Sequence, residues 1–259
     1  MLAKLLPENN RLERIWLLSK IDFKKRYYDN GLGILWALIN PLCRFVIYYF
    51  AFTYIFPQKG IKNYALYLFS GLIIWFFFAQ GTRKGIKLLK SKKYLIESIQ
   101  FKHFDLFVAS TLSAFYSFVF NFIAYFLVSM IKGVGVHPTV FWLPLLVLNI
   151  VLLVLAISAL LATINIYLRD IEHFWDIVVL AGFWATPIIY DSEITMVKMP
   201  FLQYINPVAG IVINIRETVL YGNQPYYHLL VHDLVYASVL FIIAKFAYDK
   251  FSHKAVEKL

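Results

Sequence analysis

VFWLPLLVLNIVLLVLAISALLATINIYLRDIEHFWDIVVLAGFWATPIIY, residues 140–190, is almost wholly apolar on either side of Arg169-Asp170. A helix crossing about 30 Å of hydrocarbon needs roughly 20 residues at about 1.5 Å each. Read as one helix, this stretch would be about twice the membrane thickness. A turn at Arg169-Asp170 therefore divides it into two spans, 140–168 and 171–190. Working outward, apolar blocks of similar length occur at 34–56, 64–81, 105–131 and 227–248. The expected fold is an all-α polytopic membrane protein of six transmembrane helices, organised as one domain over 1–259.

Composition agrees. The 259 residues are 61% hydrophobic and 19% aromatic with a mean hydropathy of +0.67. Only 15% are charged, against about 25% in ordinary soluble domains. The single cysteine, Cys43, has no partner, so neither a disulfide framework nor a zinc site is expected. The first apolar block begins near Ile34, too late and too long for a signal peptide, and no cleaved leader is expected. Basic residues resist translocation and stay cytoplasmic. Of the 25 Lys and Arg, nineteen fall in 1–33, 83–104, 169–170 and 245–259, against five in 57–63, 132–139 and 191–226. That bias places both termini in the cytoplasm.

Residues 10–30 read as an interfacial helix. Over 10–27, Leu12, Ile15, Trp16, Ser19, Phe23 and Tyr27 recur at three- and four-residue steps, while Arg11, Arg14, Lys24 and Lys25 point elsewhere. Asn10 followed by Glu13 is a loose start signal. An orienting anchor explains the basic residues equally well. Gly31 and Gly33 supply the bend into the first span, and no third glycine completes a dinucleotide fingerprint. The loop 83–104 mixes apolar residues at helical spacing, Ile86, Leu89, Leu95 and Ile99, with seven bases. It reads either as a docking element for a cytoplasmic partner or as a loop adsorbed to anionic lipid. Residues 191–226 hold an apolar piece, 208–220, too short to span. External re-entrant or interfacial helices fit it, with Asn206-Pro207 as their break and Pro207 opening the second helix.

No GxxxxGK[ST] occurs, so ATP-driven action needs a second polypeptide, and this chain is not expected to be an enzyme or to bind a cofactor. No metal site is expected: His228 and His232 are four apart, but Leu229 stands where a zincin carries glutamate. His103 and Asp105 alone are too little for a transferase. Arg44, inside the first span, costs roughly 2.5–3.5 kcal/mol to insert and is tolerated where it faces a cavity or a partner. It meets an anionic headgroup, snorkels, or makes a structural pair. Asn121, Asn149 and Asn165 read as interhelical hydrogen-bonding residues.

Four stretches together resemble the ABC-2 type transporter permeases that export cell-surface polysaccharides. They are RYYDNGLGILWALINP at 26–41; LIESIQF at 95–101, where Lys102 replaces the family's usual proline; NIYLRDIEHFWDIVVLAGFWATPIIY at 165–190; and YINPVAGI at 204–211. The resemblance implies a homodimer with two separate cytoplasmic ABC ATPase subunits, ATP and Mg residing on those partners. It implies a cargo of glycan on polyprenyl pyrophosphate, of the O antigen, capsule or teichoic acid kind, and a place in the bacterial inner membrane. Membrane lipid is a further partner; nucleic acid is not. Arg44 and Asn40, with Lys24, Lys25 and Arg26, would meet the lipid headgroup. Lys90, Tyr94, Leu95, Ile99, Phe101, Arg169 and Asp170 would couple to the ATPase. Trp184, Pro187, Tyr190, Asn206 and Pro207 would form the external gate. Two other readings stand beside this one: an ABC-2 exporter of a drug or other hydrophobic small molecule, and a membrane enzyme acting on lipid-linked sugars.

Overall fold

A computed structural model describes residues 10–27, 31–55, 60–98 and 102–256, and no strand occurs among them. Helix α1 (Arg11–Tyr27) leads through Gly33, at a φ of 51° that favours glycine, into a short 3-10 turn and α2 (Trp36–Phe50). A π-helical turn, Ala51–Ile55, ends that span. Next come α3 (Tyr64–Ile86), the short α4 (Leu88–Ser91) and α5 (Lys93–Ser98), and α6 (Asp105–Ile131). The second half holds α7 (Leu143–Tyr167), α8 (Ile171–Ala185), the short α9 (Pro200–Ile205), α10 (Pro207–Arg216) and α11 (Tyr227–Val256). Five helical runs are long and apolar enough to cross a membrane: Gly33–Ile55, Tyr64–Ile86, Asp105–Ile131, Pro138–Tyr167 and Tyr227–Phe251.

These runs are gripped very unequally. In the most apolar window of Tyr64–Ile86, 83% of residues are buried, against 6% for Gly33–Ile55. Helix α3 is thus the axle of the bundle and the first span its loosest member. Close packing on α7 depends on Gly81 and Gly85, four apart on one face of α3. A Cβ at Gly81 would lie 2.5 Å from Val154, and one at Gly85 would lie 2.3 Å from Ser158. Small residues at that spacing let two backbones approach where lipid offers no hydrophobic drive.

Helices α7 and α11 run in the same direction, because Trp142 meets Tyr227 at one end (ring centroids 5.7 Å apart) and Tyr167 meets Phe251 at the other (6.3 Å). The chain between them must therefore return along the bundle. Helix α8 makes most of that return, antiparallel to α3, with Trp175 Nε1 donating to Thr82 Oγ1 at 3.0 Å and Gly182 seated on Trp75. The expected helical span 171–190 ends early, at Ala185. Thr186 precedes Pro187 and takes the extended backbone (φ −94°, ψ 134°) that a following proline favours. Helix α3 runs five residues beyond its expected end at Gly81. Arg83 and Lys84 in its last turn face Asp176 and Asp22 rather than solvent alone, so basic residues do not stop it.

Helix α1 also departs from expectation in one residue. Arg14 does not point away from the bundle: it is buried, and its guanidinium donates to Asp105 at the start of α6 at 3.2 Å. The anchored face continues with Ser19 against the Tyr116 hydroxyl (3.0 Å) and Phe23 edge-on to the same ring (5.5 Å).

Candidate functional site

Proline at position 41 decides the local chemistry of the first span. It has no N–H to give to the carbonyl four residues back, and Asn121 of α6 supplies the donor instead, its Nδ2 lying 3.3 Å from the Ala37 oxygen. Beside this repair lies a cavity of about 350 Å³, walled by α2, α3, α6 and α8. Its polar lining includes Asn40, Arg44, Gln80 and Arg83, and its apolar walls include Trp36, Tyr48, Phe76 and Phe183. Arg44 Nε donates to Asn40 Oδ1 at 3.1 Å, one helical turn away, and its guanidinium carbon stands 5.3 Å from the centre of the Phe76 ring. Among the described residues no carboxylate lies within 4 Å of Arg44, whereas Arg83 is held by Asp176 at 2.7 Å. Arg26 reaches the same place from α1, donating to Gln80 at 3.0 Å. Lys24 and Lys25 are exposed on α1 and do not line the cavity. One uncompensated guanidinium in a concave, aromatic-walled space suits an oxyanion.

At the basic end a second group of residues converges on Asn165. Its Nδ2 donates to the Ile86 carbonyl at 3.0 Å and to Glu172 at 2.8 Å, and its Oδ1 accepts from Lys90 at 2.9 Å. Lys87 pairs with Glu172 at 3.2 Å. The segment after α3 is thereby tied to the first turn of α8. Leu95 is buried in the adjoining core, Tyr94 is exposed, and Arg169 and Asp170 stand exposed in the α7–α8 turn. Ile99 and Phe101 lie outside the described residues. Asp22 of α1 joins the same end through Lys92 (2.5 Å) and Lys84 (3.5 Å). Asp105, completely buried, is held by Arg11 at 2.8 Å and Arg14 at 3.2 Å. The Asp105 hydrogen bond and then its charge raise the Arg11 guanidinium above its ordinary range. A carboxylate so engaged is a structural partner, not a free general base.

At the opposite end the five expected gate residues fall on two stretches joined by hydrogen bonds, 184–190 and 206–207, and one of them, Pro187, meets a residue that sequence reasoning passed over. Trp184 is exposed and its carbonyl accepts the Tyr190 hydroxyl at 3.1 Å. Asn206 donates to Thr186 at 2.8 Å while its Oδ1 caps the Val208 N–H at 3.2 Å, with Pro207 in the first turn of α10. Pro187 offers its carbonyl to Arg216, the missed residue. Arg216 is 1% exposed; its Nε donates to the Tyr67 carbonyl at 3.2 Å and another nitrogen to the Ile188 carbonyl at 2.9 Å, with the guanidinium 3.4 Å from the Tyr67 ring centre. Tyr64 and Tyr67 hydroxyls donate to the Ile189 and Tyr190 carbonyls at 2.9 and 2.8 Å. Every carbonyl from Pro187 to Tyr190 thus has a side-chain donor, the condition for non-helical backbone at membrane depth. The signal was present: apart from Asn214, PVAGIVINIR is apolar on all sides up to its arginine, the mark of a buried helix. His232 turns to Asp233 (3.0 Å) rather than to His228.

The sequence is similar to those of known proteins. Residues 13–220 match the ABC-2 type transporter family. An O-antigen export system permease protein RfbA of Klebsiella pneumoniae is 25% identical over 248 residues, covering 94% of this chain and 93% of that one. A protein of the same description from Myxococcus xanthus is 27% identical over 173 residues, 67% of this chain and 66% of its own length. With the family match running from the first turn of α1 to residue 220, just past α10, the chain belongs to the ABC-2 type transporter family.

Proposed function

We propose that this chain is the transmembrane subunit of an ATP-driven exporter that carries an O-antigen-like polysaccharide on polyprenyl pyrophosphate across the bacterial inner membrane. The observation that carries the reading is the cavity beside Pro41, where Arg44 lacks a carboxylate partner among the described residues and aromatic walls flank it. A pyrophosphate answers the guanidinium, and isoprenoid carbons answer Trp36 and Phe76. Near-full-length relatives named as O-antigen export permeases support the cargo class.

In this reading the chain crosses six times, α8 and its extended tail making the fifth crossing and the pieces around α9 and α10 forming re-entrant external helices. Both termini and residues 83–104 face the cytoplasm. Two copies assemble with two ATPase subunits that hold ATP and Mg. Lys24, Lys25 and Arg26 gather the headgroup; Arg44 and Asn40 receive it. Lys90, Tyr94, Leu95, Ile99, Phe101, Arg169 and Asp170 form the surface toward the ATPase. Trp184, Pro187, Tyr190, Asn206 and Pro207 form the exit gate, which Arg216 fastens to α3.

The test is co-purification with a candidate ATPase, followed by ATP hydrolysis measured with polyprenyl-linked glycan, free glycan and lipid alone. Stimulation by the linked glycan is expected, with Arg44→Ala abolishing it while complex assembly persists. Stimulation by none of the three would overturn the cargo, and an unchanged Arg44→Ala would overturn the pyrophosphate role.

A further inference from the structure

A second cavity, of about 220 Å³, lies at the end of the bundle remote from the basic loop. Three spans meet there. The π-helical end of the first contributes Phe52 and Thr53, with Tyr49 one turn earlier; the start of α3 contributes Asn63, Tyr64 and Leu66; and Lys132 enters from the end of α6. Nothing acidic lines it. Lys132 has no carboxylate within 4 Å among the described residues, in contrast to the lysines of the basic end, where Lys84, Lys87, Lys90 and Lys92 are all paired. Thr53 lines the cavity, yet its Oγ1 is shut off from solvent and bonds to nothing. A buried hydroxyl without a partner is uncommon. Asn63 makes no side-chain cap to the helix it precedes.

Beside the phenols of Tyr49 and Tyr64, the latter given to the Ile189 carbonyl, the polar lining is therefore an ammonium, a hydroxyl and a carboxamide, all able to donate and none engaged with an acid. That set recognises the oxygens of an anion. The rest of the wall, Phe52, Ala65, Leu66 and the ring of Tyr49, is carbon, and the first span leaves Val46, Ile47, Phe50 and Tyr54 exposed along its length. An anion entering here brings carbon with it. The volume lies below the roughly 300–1,000 Å³ of sites that enclose a whole drug-sized ligand, which suits a headgroup whose tails remain outside.

We infer that this cavity holds the phosphoryl group of one anionic phospholipid, Lys132 and Asn63 meeting its oxygens. Thr53 turns its hydroxyl to them by rotation about χ1, and the glycerol carbons rest on Tyr49 and Phe52. Which leaflet supplies the lipid follows from the orientation proposed above; the binding itself does not depend on glycan export, so failure here leaves the cargo reading untouched.

The purified full chain would be placed in bilayers of phosphatidylcholine containing phosphatidylglycerol, extracted, and examined by native mass spectrometry for retained lipid. The wild type is expected to retain phosphatidylglycerol in preference to phosphatidylcholine. Lys132→Gln is expected to weaken retention about fivefold, the equivalent of about 1 kcal/mol for one base at the surface, and Thr53→Val to weaken it as well. Lys198→Gln, a basic residue of the external segment outside the cavity, is the control and should change nothing. Equal retention of both lipids, an unchanged Lys132→Gln, or an equal loss in Lys198→Gln would each overturn the site. Protection of Lys132 from acylation by inorganic phosphate without lipid retention would assign the cavity to a soluble phosphate and overturn the lipid.

Discussion

Replacing Arg216 by methionine tests whether the carbonyl clamp holds the stretch from Pro187 to Tyr190. The guanidinium donates to three backbone oxygens, and hydrogen bonds from a charged group contribute roughly 1.5–3 kcal/mol each. Against them stands the desolvation of a buried charge, several kcal/mol, which methionine does not incur. The Tyr67 oxygen keeps a second donor, Ser70 Oγ at 2.9 Å. Arg216→Met therefore orphans two carbonyls, Pro187 and Ile188, at about 1–3 kcal/mol apiece. Those two orphans together cost about 2–6 kcal/mol before any relief of desolvation, and each kcal/mol that remains lowers Tm by about 2–4 °C for a chain of this order of size. Thermal unfolding of the detergent-purified chain, followed by tryptophan fluorescence, measures it. Limited proteolysis should at the same time open residues 186–205 before the rest. Arg216→Lys keeps the charge as a single point donor and should fall between wild type and methionine. A methionine variant as stable as wild type would refute the clamp, because the three bonds would then only balance the cost of burying the charge.

Other consequences are as specific. Gly85→Ala sets a methyl against Ser158 and should cost about 1–3 kcal/mol by overpacking; adding Ser158→Gly should recover much of it in the same unfolding assay. Asp105→Ala leaves Arg14 buried without this carboxylate and should cost about 3–5 kcal/mol, with α1 becoming protease-sensitive, whereas Arg11→Ala, on the exposed partner, should leave Tm near wild type. Cys43 is exposed on the first span; in membranes it should react with a lipid-soluble maleimide and resist a membrane-impermeant one.

The sequence and the structure agree most closely where hydrophobicity alone decides. The apolar blocks at 64–81, 105–131 and 140–168 fall on α3, α6 and α7 because a run that long has few other ways to satisfy its backbone. Arg169-Asp170 correctly marked a break, since a charged pair at that depth lies in the middle of no single helix of tolerable length. The polar pairings were not readable. Arg14 sits on the helical face opposite to the one its charge suggested, because Asp105, ninety-one residues later in the chain, waits there. Arg216 was missed, since sequence shows the charge but not the unwound carbonyls that receive it. Asn40 and Arg44, named together on the strength of the resemblance, lie one helical turn apart; that the cavity also draws in Gln80 and Arg83 from α3 follows only from packing.

Recognition of the stretch from Pro187 to Tyr190 passes through main-chain oxygens, which every amino acid carries. The side chains of Ile188 and Ile189 are held separately, by burial in the main core, so a substitution there keeps its main-chain bond and is judged by packing alone. Tyr64, Tyr67 and Arg216 have no such latitude, because the bond itself is made by the side chain: here the residues that are gripped tolerate any apolar shape that fits, and the residues that grip must keep their chemistry.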